Sequence, residues 1–438
     1  MLALLKKTSI KTKTILLNSS IMFLWWLAFN PGFYSVDSFG VLDMVRSGQL
    51  TNPWTAIWAI FVQVLTVNGT HPEIATFFFS QLLGYSVSMF AMTFFKSSTA
   101  LWSSAILCGT PLIGAMGITL WHDIPMTSGL LLMMVGVKRI DMGEKNAILF
   151  FSFGALFSTF RYNGIPTLIL AFVFFLFLSK NKSKLVHGLL ILLIFASFSS
   201  ALNYAFKDSN NVQSDGYIDW MRYDISCYAA ISSDKEFFNK YFGDALVAED
   251  WASKSACTWF NQSKAFAIRT EYVTEQIPTA WMGLLRANPE FILKTHLNRH
   301  KYLVPIPYSG LPSMPFIHTT IEIPNSGVAF LNPTLSESLR SYPRIWNFFN
   351  FIFGFAGFWL TLILLFSWWK KDFWLFRVWL VGLILNLGLF VFASISDGRF
   401  ALFVLISGQL ILVGELLERV RIPMKHRKRI GKYLGRLQ

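Results

Sequence analysis

The sequence contains few charged residues. Asp, Glu, Lys and Arg make up 14% of its 438 residues, whereas a soluble globular protein carries about 25%, and this deficit argues against a soluble enzyme. Cysteine is also scarce, and three thiols in a chain of this length exclude a disulfide framework. Cys108 lies in an apolar run, where a cysteine behaves as a small hydrophobic residue. Cys227 and Cys257 could pair in an oxidising compartment or remain independent thiols.

Hydrophobic residues are abundant instead, at 54% of the chain, with 44 Phe and 16 Trp. They fall in runs near or above the roughly 20 residues that a helix needs to cross a bilayer, which predicts an all-α polytopic membrane protein. The run 147–178 is too long for one crossing, so we expect two short helices that meet at Arg161–Pro166, where Gly164 and Pro166 break the helix. The sequence thus predicts about ten crossings, which are Thr14–Phe29, Ile74–Phe95, Leu101–Trp121, Pro125–Val137, the two within 147–178, Leu185–Phe206, Trp346–Trp369, Phe373–Ile395 and Phe400–Leu417.

Basic residues indicate the orientation, since Lys and Arg favour the cytoplasmic side of membrane proteins. With the N-terminus inside, the cytoplasmic segments carry a net charge of +17 and the outer segments a net charge of −3, which together give the +14 of the chain. The charge therefore reports topology and gives no support to nucleic acid binding. We expect a multi-pass membrane protein with both termini in the cytoplasm and a basic tail, 419–438, at anionic lipid headgroups.

Two outer segments are longer than simple connections. The first, 30–73, holds two short amphipathic stretches, Phe39–Leu50 and Trp54–Val67, which we expect to lie along the membrane surface. The second, 207–343, has the polar composition and length of a small, mainly helical domain or lid, and Asn288-Pro289-Glu290 within it is a helix-start signal. The chain then divides into a transmembrane module, 1–206, the outer segment, 207–343, C-terminal transmembrane helices, 344–418, and the tail, 419–438.

Unusual polar residues collect at the outer ends of the predicted crossings. Asp37 follows the first crossing and Asp123 the third, and each stands at a helix start that it could simply cap. A carboxylate held at the headgroup level could also accept a proton from an attacking hydroxyl or hold a metal. His122, beside Asp123, has no metal-ligand spacing and is more often an interfacial residue.

Arg161 is the sharpest of these signals, because an arginine within an apolar run costs about 2.5–3.5 kcal/mol on insertion scales. Its position near Asn163 suggests an anionic ligand, although an ion pair with one of the outer aspartates would satisfy it equally. Arg399, before the last crossing, is either a second ligand for an anion or the partner of Asp397 in a local turn.

The outer segment adds two candidates, Arg222 and Asp224, among tryptophans whose faces can stack on sugar rings. Tryptophan is also common at membrane interfaces and in small cores, so these positions suit either substrate binding or plain structure. The sequence has no phosphate-cradling glycine loop, zinc-ligand spacing or nucleophile elbow.

Several short motifs follow one another along the chain: Pro31-Gly32, Asp37-Ser38, Asn52-Pro53-Trp54, Trp121-His122-Asp123-Ile124-Pro125, Phe160-Arg161-Tyr162-Asn163-Gly164, Asp224-Ile225-Ser226 and Asn288-Pro289. In this order they resemble the GT-C superfamily, integral-membrane glycosyltransferases that take sugars from polyprenyl-phosphate carriers. The bacterial branch with an Arg-Asn-Asn-Gly segment is the most similar, and Tyr162 departs from that segment. Ser38 stands where a second acid usually follows the first-loop aspartate.

The resemblance implies an enzyme in which Asp37 is the general base or positions the acceptor, and Asp123 is the acid of the second loop. Arg161 and Arg399 would bind the carrier phosphate. We expect further substrate contacts from the remaining candidates, which are His122, Asn163, Arg222 and Asp224. Members of the superfamily differ in metal use, so the cofactor stays unassigned and a divalent metal stays open.

The same mechanism is physically coherent on its own terms. Nucleotide sugars are cytoplasmic, so an outward-facing site needs a lipid-carried donor, an arginine for the departing phosphate and a carboxylate base. The expected partners are a polyprenyl-phosphate sugar, a glycan or lipid acceptor and membrane lipids, and a single displacement would invert the sugar. The competing interpretations are a transporter or flippase of lipid-linked glycans, whose charges should recur at mid-span, and a membrane scaffold without activity.

Overall fold

The computed structural model describes residues 8–48, 55–144, 146–178, 182–206, 219–232, 234–242, 276–300, 303, 354–392 and 401–434. Over these residues the protein is helical, and its β-structure is limited to one isolated bridge between Phe33 and Thr119. The all-α class predicted from the apolar runs is therefore confirmed for this part of the chain.

The helices differ in length and in hydrophobicity. Within the described ranges, three are long and apolar enough to cross a bilayer: Pro72–Phe94, Lys182–Ala205 and the stretch Phe373–Val391. In chain order the helices are α1 (Ile10–Ala28), α2 (Val36–Ser47), α3 (Ala56–Leu65), α4 (Pro72–Phe94), α5 (Ser97–Cys108), α6 (Pro111–Gly117), α7 (Asp123–Asp141), α8 (Ala147–Ser158), α9 (Gly164–Leu178), α10 (Lys182–Ala205), α11 (Asp219–Ser232), α12 (Lys235–Phe242), α13 (Ile277–Ala287), α14 (Pro289–Arg299), α15 (Ala356–Lys370), α16 (Phe373–Phe392) and α17 (Leu402–Leu434).

The predicted third crossing, Leu101–Trp121, is wrong as a single helix, because α5 ends at Cys108 and α6 begins at Pro111. Proline lacks an N–H and favours extended backbone in the residue before it, and Thr110 accordingly has φ −75° and ψ 149°. Hydropathy does not register such a break. The predicted count of ten crossings is not confirmed, since several apolar runs form helices of 12 or 15 residues, below the roughly 20 needed for a perpendicular crossing.

The apolar stretch 147–178 divides where the sequence predicts. α8 ends at Ser158, α9 begins at Gly164, and the turn between the two helices carries Arg161. A Cβ atom at Gly164 would overlap the carbonyl oxygen of Ser158, so this tight turn requires glycine. The prediction of two short helices on either side of Arg161 is confirmed.

Helices in the membrane part meet through small and polar residues. A Cβ atom at Gly129 of α7 would come within 2.7 Å of the Gly154 carbonyl oxygen and the Ser158 amide nitrogen of α8, which shows how closely the two backbones approach. Asn18 of α1 donates hydrogen bonds of 2.7 Å to Ser88 of α4 and 2.8 Å to Ser104 of α5. Close packing and buried hydrogen bonds thus connect these helices.

An ion pair with a fully buried guanidinium ties three helices together at the C-terminal end of α7. Arg377, near the start of α16, is 1% exposed and donates to Asp141 at 2.9 Å and to the Leu178 carbonyl oxygen at 3.3 Å. Its guanidinium also lies 4.4 Å from the ring centroid of Trp374. Because Leu178 ends α9 and α16 packs along α9, the two helices are antiparallel.

The helices α11–α14 lie in the predicted outer segment and are called the outer helices, and α11–α13 build a small core of their own. Its buried apolar residues are Ile225, Ala229, Phe238, Phe242, Ile277 and Ala280. α14 begins at the predicted signal, where the Asn288 side chain accepts a 3.2 Å hydrogen bond from the Phe291 amide and Pro289 takes the first position. This helix start is confirmed, whereas most of the predicted segment 207–343 lies outside the described residues.

The two amphipathic stretches predicted in the first outer loop correspond to α2 and α3. α3 packs into the bundle, since Trp58 is 1% exposed and Ile57, Ala59 and Val62 are also buried. The expectation that both stretches lie along the membrane surface stays a prediction, and the wide apolar face of α3 packs against the rest of the protein.

Candidate functional site

Two chain segments that are far apart in sequence lie side by side at the N-terminal end of α7. The amide of Phe33, after α1, donates to the Ile118 carbonyl at 3.1 Å, and the Leu120 amide donates to the Phe33 carbonyl at 3.0 Å. This short pairing holds the loop after α1 beside the loop that enters α7.

Side chains around Asp37 strengthen the same connection. Ser35 accepts a 2.6 Å hydrogen bond from the indole N–H of Trp121, and Ser38 donates at 2.8 Å to the carbonyl of Leu120. Asp37 lies between these two serines, in the first turn of α2, and is half-buried. The structure therefore brings Asp37 to the loop that leads directly into Asp123.

Asp123 is the first residue of α7, fully buried, and it forms an ion pair with Arg161 from the turn between α8 and α9. The first turn of a helix favours an anion, because the backbone N–H groups there have no helical partners. His122 places its Nδ1 4.0 Å from Asp123. The ion pair that the sequence left open for Arg161 is thus present, with Asp123 as the partner.

Aromatic rings enclose the Arg161 turn on the side of α3. The Trp58 ring lies 5.8 Å from the Phe160 ring and 6.2 Å from the His122 ring, measured between centroids. Thr55, just before α3, donates a 2.8 Å hydrogen bond to the Phe160 carbonyl. These contacts hold the residue before Arg161 in place, so the guanidinium is fixed by its backbone as well as by Asp123.

Asn163 lies at the end of the same turn and is half-buried. Its backbone carbonyl accepts a 2.7 Å hydrogen bond from Thr167, which closes the first turn of α9. Its side-chain oxygen has no hydrogen-bond partner among the described residues. The amide therefore has capacity to bind a polar ligand beside Arg161.

The α7 helix separates this site from the ion pair of Arg377. Asp123 begins the helix and Asp141 ends it, over 19 residues, which corresponds to about 27 Å at 1.5 Å per residue. That distance is close to the roughly 30 Å thickness of the hydrocarbon core of a bilayer. An Asp–Arg pair therefore lies at each end of a helix of membrane length, with Asp123 and Arg377 buried and their partners half-buried.

Asp224 lies in a second cluster, within the outer helices. Its fully buried carboxylate accepts 2.8 Å hydrogen bonds from Trp281 and His296 and forms a 2.8 Å ion pair with Arg299. Burial by itself raises the pKa of Asp224, but the hydrogen bond from His296, the charges of Arg299 and His296 and the Trp281 hydrogen bond lower it below the ordinary value. Arg222, two residues earlier on α11, is also buried.

Sequence reasoning missed several residues that complete these two clusters. Ser35, Ser38 and Thr55 act by hydrogen bonds to distant backbone, and no local pattern announces such contacts. His296 and Arg299 lie three apart on one helix face, a spacing that the sequence does contain. Arg399 lies outside the described residues, so its predicted role is neither supported nor opposed.

Over the described part of the chain, no group of three or more His, Cys, Asp or Glu side chains could hold a metal ion. No protein family model, curated protein or solved structure matches the chain. Fold and site together define a helical protein with apolar helices that could span a membrane, and with a buried Asp–Arg pair at one end of its central helix.

Proposed function

We propose that the protein is a membrane glycosyltransferase that moves a sugar from a polyprenyl-phosphate carrier to an extracytoplasmic acceptor, most simply a cell-surface glycan. The observation that carries the proposal is the buried Asp123–Arg161 pair beside the loop of Asp37. A guanidinium bound to one carboxylate keeps further N–H donors for a phosphate, because the group has five.

The reaction would be a single displacement. The acceptor hydroxyl attacks the anomeric carbon as the bond from that carbon to the phosphate oxygen breaks, which inverts the sugar. The polyprenyl phosphate leaves with its charge facing Arg161, and Asp37 accepts the hydroxyl proton. Asp37 suits the base better than Asp123, because Asp37 is half-buried and Asp123 is enclosed by its pair with Arg161.

The remaining candidates take supporting roles in this proposal. His122 and Asn163 flank the ion pair and would contact the sugar or the phosphate. Asp224 is enclosed by protein donors, so we now assign it a structural role within the outer helices instead of direct substrate binding. Arg222 and Arg399 remain predicted ligands.

The proposed location is the inner membrane of a bacterium, with the site on the outer face. Cys227 of the outer helices is disulfide-bonded, and such bonds persist in oxidising compartments outside the cytoplasm. Cys257 lies outside the described residues.

The competing function, a flippase of lipid-linked glycans, would need charges at mid-span. The buried mid-helix polar groups described above, such as Asn18, are neutral.

The test is a comparison of two aspartates on one helix. In cells that depend on this protein for a surface glycan, Asp37→Asn should abolish transfer, because an amide cannot accept the proton. Asp43→Asn is the matched control, since Asp43 lies on the same helix with its side chain 75% exposed and pairs only loosely with Arg46, at 3.6 Å.

Mass analysis of the cell-envelope glycans, with both variants produced at wild-type levels, gives the readout. We expect the glycan to be lost with Asp37→Asn and kept with Asp43→Asn. An unchanged glycan profile in the Asp37 variant would exclude that carboxylate as the base.

A further inference from the structure

His296 connects the outer helices to the membrane part through both of its ring nitrogens. Its Nδ1 lies 2.7 Å from the carbonyl oxygen of Phe390, and its Nε2 lies 2.8 Å from a carboxylate oxygen of Asp224. The residue is 3% exposed. A carbonyl oxygen only accepts hydrogen bonds, and so does an ionised carboxylate. If Asp224 is ionised, both ring nitrogens must therefore carry a hydrogen.

The surroundings of Asp224 favour the ionised carboxylate. Its Oδ1 faces the guanidinium of Arg299 at 2.8 Å, and its Oδ2 also accepts from the indole N–H of Trp281 at 2.8 Å. Protonation of this carboxyl would leave the buried guanidinium, which does not lose its own proton in proteins, against a neutral group. The lowered pKa of Asp224 agrees with this geometry.

The position of Phe390 gives an independent reason for a positive charge on the ring. Phe390 lies in the last turn of α16, which ends at Phe392. The last four carbonyl groups of a helix have no partner within it, and the helix dipole gives this end a partial negative charge that favours a cation. A histidine with a hydrogen on both ring nitrogens supplies a hydrogen-bond donor to the Phe390 carbonyl and a positive charge at this end of α16.

We propose that His296 is an imidazolium that holds α14, and with it the outer helices, on the end of α16. A neutral ring could donate only one of the two hydrogen bonds. The other charged or titratable side chains buried on α11 and α14 are Arg222, Tyr223, Arg299 and His300. Asp224, whose two oxygens face His296 and Arg299, is the buried carboxylate that the described residues of these two helices supply.

The contact lies on the side of the candidate site. α16 runs antiparallel to α9, and α9 begins at Gly164, three residues after Arg161. The end of α16 that carries Phe390 is therefore the end near the start of α9. His296 would act as a positioning residue that keeps α14 on the end of α16. The inference does not depend on the proposed sugar transfer, because it concerns only the protonation of the His296 ring, which joins α14 to α16.

Nitrogen NMR on the intact protein, labelled with ¹⁵N in its seven histidine rings, reports the form of each ring. At neutral pH we expect one histidine whose two ring nitrogens both give signals of protonated nitrogen. Trp281→Phe removes a neutral donor to the same carboxylate and should shift this pair of signals, which assigns it. The absence of such a pair, or a pair that Trp281→Phe leaves in place, would overturn the proposal.

Variants of His296 test the need for charge. Hydrogen exchange of 219–232 and 289–299 should accelerate about tenfold or more in His296→Gln, because hydrogen bonds to charged groups are worth about 1.5–3 kcal/mol. His296→Arg keeps the cation and should recover part of the protection. His187→Gln is the control, since His187 is exposed and its one hydrogen bond among the described residues is to the Ser183 carbonyl.

Equal exchange in the Gln and Arg variants would show that the charge is irrelevant and would contradict the proposal. If His296→Gln does not fold, the spectrum of the wild-type protein decides the question alone. Sugar transfer does not enter either measurement, so a failure here is distinguishable from a failure of the proposed function.

Discussion

At the scale of single residues, two buried charged groups of this protein pair with side chains of opposite charge. Asp123 pairs with Arg161, and Asp141 pairs with Arg377. Arg161 could be predicted as special from the sequence, because a charge stands out in an apolar run. His296 could not, because it lies in a segment of ordinary polarity where one more polar residue gives no contrast.

Asp234 offers a test at this scale, because it caps α12. Its carboxylate accepts hydrogen bonds from the Phe237 amide at 3.0 Å and the Tyr228 hydroxyl at 2.8 Å. The Phe237 hydrogen bond, followed by that from Tyr228, lowers the pKa of Asp234 below its ordinary value of 3.8. The ionised cap therefore stabilises α12 above that pH, and this stabilisation disappears as the pH falls through the lowered pKa.

We expect Asp234→Ala to destabilise the outer helices by about 1 kcal/mol, the usual value of an N-cap, and Asp234→Asn to cost much less because Asn also caps. Hydrogen exchange across 235–242 at neutral pH measures both variants. Identical protection in the Ala variant and the wild-type protein would show that this cap contributes nothing.

At the scale of elements, the position of helix breaks decides how far sequence reasoning reaches. The break at Arg161 was predictable, because a charge, Gly164 and Pro166 coincide there. The break at Pro111 is not predicted by hydropathy, because the residues around it are apolar and small and the run looks continuous. Hydropathy reports which residues avoid water, whereas helix ends depend on backbone geometry.

The contact between α7 and α8 gives the prediction for elements. Gly129→Ala would press its Cβ to 2.7 Å from backbone atoms of α8, so we expect a loss of about 1–3 kcal/mol, as for other overpacked interiors. Gly388→Ala on α16 is the matched control, because no atom of the described residues lies within 4 Å of the new Cβ.

Thermal unfolding of both purified variants in one detergent makes the comparison. The Gly388 variant should match or exceed the wild-type stability, since alanine is the better helix former. Equal stability of the two alanine variants would mean that α7 and α8 do not pack as closely as described.

At the scale of the whole molecule, an Asp–Arg pair lies at each end of α7, a helix of membrane length. The distribution of Lys and Arg in the sequence predicts which of these two ends faces the outside. Asp123 is fully buried, so a label placed there cannot report its side of the membrane, and exposed positions must be used instead.

Cysteines at two exposed positions test the orientation. Asn239 on α12 and Met142 after α7 are both exposed, and Cys108 is fully buried. In intact cells, a membrane-impermeant maleimide should label Asn239→Cys directly and Met142→Cys only after permeabilisation. The reverse pattern would place the candidate site on the cytoplasmic side.

The central claim is that Arg161, held by Asp123, binds the phosphate of a polyprenyl carrier, and equilibrium binding of a radiolabelled polyprenyl phosphate to the purified protein in nanodiscs tests it most directly. The double variant Arg161→Gln/Asp123→Asn removes the pair without leaving a lone buried charge. Arg377→Gln/Asp141→Asn does the same at the other end of α7 and serves as the control. We predict that the first variant binds the lipid at least about tenfold more weakly, a loss of about 1.4 kcal/mol, and that the control binds it like the wild-type protein. Equal affinity in the two double variants would contradict the account.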